Sequence, residues 1–342
     1  MKTFMLVGDV SDNVGPSNVH RELIDHWPLG EELLLPCWSN KLTKLMSVVI
    51  SSMLCDILLT TGVGHLAAIA TSIARKRGVP VAVLVHGYLP YENEVNKLGL
   101  SRETVQEWCD VLRGADAVVT NSEFHASCLC AAEPCIANRV RWFNLGIKPF
   151  VMREHVACDD RITVTVSGGT RPIKGNEVVA RAVALLQEWG YPVDFLVFGD
   201  TETENEELRY ALRRCGGQMK GQIAQAEFLK ALSHTDVFVM NSRRDSFGMS
   251  ATDALAAGAS LLLSCNCGVA DVLKLEESDI VFDCEDTNEV AQKILYLASH
   301  PNAQRLYGAL DFDALGWDGS ANRLCEICHD VEKVGAARQV FG

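Results

Sequence analysis

The chain has 342 residues, 48% of them hydrophobic and 22% charged, the composition of a folded protein long enough to bury two cores. Its formal net charge of −13 argues against a nucleic-acid partner, whose phosphates would repel it. Residues 1–155 carry 14 Lys and Arg against 16 Asp and Glu, and residues 156–342 carry 17 against 28, so the acidity is concentrated in the second half.

Short β-branched runs alternate with helical patterns throughout, which predicts parallel α/β architecture. The first strand is expected at 3–8 (TFMLVG), followed by the polar loop DVSDN and Gly15-Pro16. A glycine there lets backbone approach a ligand and a proline suits the first helical turn, although an ordinary strand-to-helix turn reads the same way. No G-x-G-x-x-G occurs, which disfavours a dinucleotide dehydrogenase. Further strands are expected at 31–36, 55–60, 79–86 and 116–121, with helices at 63–77 and 101–113. The longest apolar run, LMSVVISSMLC at 45–55, is too short to span a bilayer. His86-Gly87 closes the most hydrophobic of these strands, and a histidine there can hydrogen-bond a polar ligand or serve structure alone. Tyr88, Tyr91 and Glu92 in the following loop are candidates to receive a second sugar, or are simply solvated.

The stretch 146–160 has glycine, proline and charge without periodicity, which predicts a linker. The pattern then restarts, with strands expected at 161–167, 193–199, 236–241, 260–265 and 279–283. Helices are expected at 174–189, 203–214, 224–233 and 286–299, with a last one at 318–334. After the first of these strands comes GGTRPIKG, where Arg171 and Lys174 precede a helix. Two cations there oppose the local dipole, so they favour a nearby anion unless they are ordinary surface charges. The run RRDSFGMSATDALAAG at 243–258 opens an alanine-rich helix at Gly248-Met249. Free N–H groups at such a helix start favour a diphosphate. Asp245 lies before the helix and Asp253 one turn into it, both able to accept hydrogen bonds from sugar or ribose hydroxyls.

Other chemistries fit less well. Asp311-Phe312-Asp313 has a metal-binding D-x-D form but falls after the α/β pattern ends. Cys325-Glu326-Ile327-Cys328-His329 has c-type haem spacing, yet it also reads as the inward face of a terminal helix. Thirteen cysteines, an odd number without a regular framework and with no signal peptide, predict a reducing cytosol and hence a cytoplasmic protein. A membrane-surface role would usually show as a basic patch, and the nearly neutral first half leaves membrane association open without supporting it.

Together these residues resemble the retaining glycosyltransferases of family 4. The resemblance rests on two acids seven residues apart around Phe247-Gly248, on Gly258, on Lys174-Gly175, on His86-Gly87, on Gly15 and on Trp317 before the final helix. Both acids are Asp here where the family has Glu, and the spot of its phosphate-binding arginine falls at Gly169. The resemblance implies a GT-B fold of two facing Rossmann-like domains with parallel sheets and a central cleft. Residues 1–150 would form the acceptor side and 151–315 the donor side, with the 316–342 helix crossing back to the first domain. It further implies a retaining, metal-independent transfer from a nucleotide-diphosphate sugar of UDP or GDP type, with no other cofactor. The acceptor would be a saccharide, a lipid-linked sugar or another hydroxyl. In that reading His86 and Asp245 act on the sugar, Asp253 on the ribose and Lys174 on the diphosphate. Gly15, Arg171, Phe247, Gly248 and Met249 complete the donor pocket. Two other readings share these residues: a catalytically silent relative or partner subunit, motivated by the shortened acids, and an epimerase of similar fold.

Overall fold

A computed structural model describes residues 2–8, 10, 15–36, 40–62, 64–148 and 160–340, with side chains as far as residue 331. The chain divides into two compact units. The first comprises Met1–Pro90, Gly99–Lys148 and Asp313–Gly342, and the second comprises Tyr91–Leu98 and Pro149–Phe312.

In chain order the first stretch runs β1 (Thr3–Val7), α1 (Gly15–Asp25), β2 (Glu32–Leu34), α2 (Lys41–Leu54), β3 (Ile57–Thr61), α3 (His65–Arg77), β4 (Val81–Val85) and α4 (Leu89–Val95). It continues with α5 (Arg102–Gly114), β5 (Ala117–Thr120), α6 (Glu123–Ala132) and β6 (Val140–Trp142). These six strands form one parallel sheet in the order β2-β1-β3-β4-β5-β6. Every residue of β4 and β5 is buried, because a parallel sheet with crossover helices has no solvated face.

The second stretch runs β7 (Ile162–Val166), α7 (Asn176–Glu188), β8 (Val193–Phe198), α8 (Glu206–Cys215), β9 (Gln218–Gly221) and α9 (Gln225–Leu232). Then follow β10 (Val237–Met240), α10 (Met249–Ala256), β11 (Ser260–Ser264), β12 (Ile280–Val281), α11 (Thr287–Ser299), α12 (Ala303–Gly308) and α13 (Trp317–Val340). Its strands also form a six-stranded parallel sheet, ordered β12-β11-β10-β7-β8-β9. Valines of β7 and of α7 and aliphatic residues of α11 fill its core.

Strand order reverses between β7 and β10, which are parallel neighbours although β8 and β9 lie between them in sequence. In open α/β sheets the loops beyond the strand C-termini at such a reversal form the ligand crevice. Lys174 follows β7 and Asp245 follows β10, so this topology brings both to that crevice.

The end of the chain belongs to the first unit. Trp317, buried at the start of α13, lies so close to Gly146 that a Cβ there would come within 2.3 Å of the indole. Ile147 donates its N–H to the Leu315 carbonyl at 2.7 Å, and Ser320 donates its hydroxyl to the Asn144 carbonyl at 2.7 Å. Most of the expected linker, 149–159, lies outside the described residues.

The run 45–55 is helical as far as Leu54, supplying most of α2, whose start is fixed by a capping box between Asn40 and Thr43. Five further elements, α4, α6, α12, β6 and β9, occur where the sequence pattern marks none. Four of them have no more than seven residues, and one of these, β9, is the polar edge strand QMKG, without the alternation that signals a half-buried strand.

Candidate active site

The second unit brings Arg171, Lys174, Asp245 and Glu92 together. Lys174 ends a short 3-10 turn, Pro172–Lys174, that Gly175 closes in the left-handed conformation, φ 63°. A side chain at Gly175 would meet the Asn241 carbonyl oxygen at 2.3 Å, so only glycine lets the turn sit against the end of β10. Asn176 then holds the loop from inside, its amide donating to the carbonyls of Ser167 and Gly169.

Lys174 Nζ reaches Asp245 Oδ2 at 2.5 Å, and both side chains are largely buried. Asp245 is fixed by its own backbone, which donates to the Asn266 carbonyl and accepts from Gly268 N–H. Its Oδ1 accepts the Phe247 N–H at 3.2 Å. Burial would push the Asp245 carboxyl up, but the Lys174 ammonium, the Phe247 N–H and nearby Arg171 outweigh it and hold the group below its ordinary value. Glu92 moves the other way. Burial pushes its carboxyl up, Arg171 and Lys174 only partly oppose this, and Asp245 reinforces it.

Gly248 precedes α10 at φ 102°, and a Cβ there would approach the Met240 sulfur to 2.7 Å. Phe247 is buried beneath it, while Met249 is half-buried. Ser250 Oγ accepts from Ser167 Oγ at 2.8 Å, tying the first turn of α10 to the end of β7. Asp253, one turn on, is half-buried, and Gln225 Nε2 approaches it at 3.4 Å. Arg171 is exposed. Gly169 has no room for a side chain, since a Cβ would lie 1.7 Å from the Asp200 carbonyl oxygen. That explains why no arginine stands there.

Sequence reasoning missed Asn96 and Arg244. Asn96 is buried and accepts the Ile173 N–H at 2.9 Å, supporting the 3-10 turn from beneath Lys174. The Arg244 guanidinium stacks over the Tyr91 ring at 4.0 Å. Both contacts depend on Tyr91–Leu98 folding with the second unit, for which no local motif exists.

Tyr88 stays in the first unit. Its hydroxyl donates to buried Glu133 at 3.0 Å, Arg113 holds the same carboxylate, and its ring packs edge-on against Trp108. Its phenol is therefore held by Glu133 within the first unit. His86 also lies in the first unit, where Asn121 Nδ2 donates to its Nδ1 at 2.9 Å. The remaining proton is then on Nε2, which donates to His20 Nε2 at 2.9 Å. Burial, together with His20 and His125, pulls the His86 imidazole down to about 3, so it is neutral at physiological pH. Gly15 opens α1, and a Cβ at this position would meet no atom of the described residues within 4 Å, so neighbouring side chains do not require glycine there.

Comparison with known proteins identifies what these parts belong to. Residues 148–308, which include the Lys174 turn, Asp245 and α10, match the family described as glycosyl transferases group 1. The chain carries a glycosyltransferase domain. Solved structures with the same fold include the sucrose-phosphate synthase of Thermosynechococcus elongatus, at TM-score 0.72 and 16% identity, covering 100% of this chain and 99% of that one. The α,α-trehalose-phosphate synthase (UDP-forming) of Burkholderia xenovorans, in complex with glucose-6-phosphate, matches at 0.66 and 10%, covering 96% and 100%. Anabaena HepE, in complex with UDP and glucose, matches at 0.64 and 13%, covering 99% of each chain. These likenesses show the GT-B fold, with its two parallel α/β sheets. No curated protein matches the sequence.

Outside the glycosyltransferase domain, Glu31, Cys325 and His329 are, among the described residues, the one group of ligand-type side chains close enough to share an ion. Here His329 Nε2 pairs with Glu31 Oε1 at 3.1 Å, and Cys328 is buried on the helix face. The haem-like spacing is thus the inner side of α13. Asp311 and Asp313 are exposed between α12 and α13, away from the α10 loop in sequence. The eleven cysteines among the described residues are free thiols. No helix among the described residues is long and apolar enough to cross a membrane.

Proposed function

We propose that the protein transfers a sugar from a nucleotide-diphosphate sugar to a hydroxyl acceptor, as a family 4 enzyme retaining anomeric configuration and using no metal. The observation that carries this reading is the buried Lys174–Asp245 pair at the switch point, beside exposed Arg171 and the start of α10. At rest Asp245 compensates Lys174. A diphosphate seated against the α10 N-terminus gives the lysine a second anion, while Asp245 keeps oxygens that can accept hydrogen bonds from sugar hydroxyls. As the glycosidic bond breaks, charge grows on the leaving phosphate, and Lys174 with the helix N–H groups is already positioned to receive it. The leaving phosphate would then take the acceptor proton on the same face of the sugar, which retains configuration. Asp253, half-buried one turn along α10, suits the ribose.

A UDP-linked hexose is the first donor to test. HepE is held in complexes with UDP and glucose and with UDP-glucose, and the trehalose-phosphate synthase is named UDP-forming. The free thiols and the sequence composition support a reducing, cytoplasmic setting. Thermal-shift titration with UDP, GDP, ADP and their glucose conjugates, followed by product analysis with and without acceptors, tests the reading. Binding of one nucleotide sugar at millimolar concentration or below, with net retention in the product, is expected. Failure of every donor to bind sinks it. Binding without turnover, rescued by Asp245→Glu and Asp253→Glu, would instead identify a silent relative.

A further inference from the structure

Helix α2 in the first unit is turned inside out. It buries Val48 and Ser52 against the sheet, where Ser52 Oγ donates to the Val48 carbonyl at 2.6 Å and lies 3.4 Å from the Met5 sulfur. Its outer side carries Leu42, Leu45, Met46, Ile50, Met53 and Leu54, whose exposure runs from 37% at Leu45 to 67% at Leu42. These positions recur at three- and four-residue steps, so they form one apolar stripe along a helix of about 21 Å. Scattered apolar residues on a surface need no explanation, but a contiguous stripe of six marks an interaction face.

The charge around the stripe identifies its partner. Helix α2 and the helix α3 packed beside it carry Lys41, Lys44, Arg75, Lys76 and Arg77 and no carboxylate, in a chain whose net charge is −13. Lys41 stands at the first turn of α2. Arg77, exposed at the end of α3, donates to the carbonyls of Ser52 and Cys55, which fixes its guanidinium at the far end of the stripe. Cations thus bracket the apolar face at both ends. Pairing this face with itself in a symmetric dimer would oppose like charges.

We propose that the outer face of α2, with the cationic end of α3, seats the first unit on an anionic membrane surface. The apolar stripe enters the boundary between headgroups and acyl chains, and Lys41, Lys76 and Arg77 meet lipid phosphates, the arrangement of an interfacial amphipathic helix. The docking does not depend on sugar transfer, but it would favour acceptors held in that surface.

Vesicle co-sedimentation, with neither donor nor acceptor present, tests this. The full chain is expected to bind phosphatidylglycerol-containing vesicles and to bind pure phosphatidylcholine severalfold more weakly. The exposed substitutions Met46→Gln, Ile50→Gln and Met53→Gln together should lower partition by roughly tenfold or more, with thermal midpoint and nucleotide binding unchanged as the check on folding. Lys41→Gln with Lys76→Gln should weaken binding and flatten its salt dependence. Absence of wild-type binding to anionic vesicles overturns the proposal, as does a triple variant that binds as well as wild type. A wild-type dimer that the triple variant dissociates, with no vesicle binding by either, assigns the face to a second copy and overturns it as well.

Discussion

On the proposed reading Lys174 has two tasks, one in the resting fold and one in the reaction, and they can be separated. Removing it alone strands the largely buried Asp245 carboxylate, so Lys174→Ala should lose about 100-fold or more in transfer rate and also several degrees in thermal midpoint. Lys174→Met combined with Asp245→Asn removes both charges. That double variant is expected to recover the midpoint without recovering activity, read by thermal unfolding and initial rates in parallel. Recovery of both would make the pair structural only. The depressed Asp245 carboxyl stabilises the fold above the ordinary value of 3.8, and that contribution is lost as pH falls through its lower folded value. His86 has a linkage of the same sign in a higher pH window. Its imidazole titrates at about 3 when folded against 6.5 ordinarily, so below pH 6.5 the unfolded chain takes up a proton that the folded one does not. Stability should therefore fall as pH is lowered from 6.5 toward 3, and His86→Gln should flatten that limb in midpoint-versus-pH curves. The ring resonances of His86 should also stay constant between about pH 5 and 8. Gly169 allows no variation. Gly169→Ala should cost about 3 kcal/mol or prevent folding, measured by urea unfolding.

Among the elements, α10 shows what sequence can reveal and α2 what it cannot. Gly248 and Gly258 bracket an alanine-rich run, so the start and stop of α10 are legible from local signals. Gly248→Ala should cost about 1–3 kcal/mol by forcing φ 102° on a residue with a Cβ. It should weaken nucleotide binding as well, measurable by titration calorimetry, because the strain falls at the turn that aims the α10 N–H groups. In α2 the apolar residues are equally visible, but the direction they face is decided by the sheet that Val48 and Ser52 pack against. A hydrophobic stripe in sequence is ordinarily read as core, and only tertiary structure shows that this one faces outward. The same limit hid Asn96, which is an ordinary loop asparagine until the fold brings Ile173 N–H to it. Lys174 and Asp245 were legible because each follows a clear strand, although their direct pairing was not.

For the whole molecule, the expectation of two α/β units matches the two parallel sheets, and strand order was the part that periodicity could not supply. The C-terminal helix returns to the first unit through Trp317, so Trp317→Ala should destabilise by about 3–5 kcal/mol, with loss of α13 protection visible by hydrogen exchange. The eight residues Tyr91–Leu98 carry a different consequence, one for how such a protein can be inherited. They are encoded amid the first unit yet supply the second with Asn96, Glu92 and the Tyr91 ring. A recombination event that exchanged everything after residue 148 with a distant relative would import a new sheet and leave its Lys174 turn resting on another lineage's asparagine. The two halves of the gene are therefore tied together by a splint, and chimaeras should function only when residues 91–98 travel with the second half.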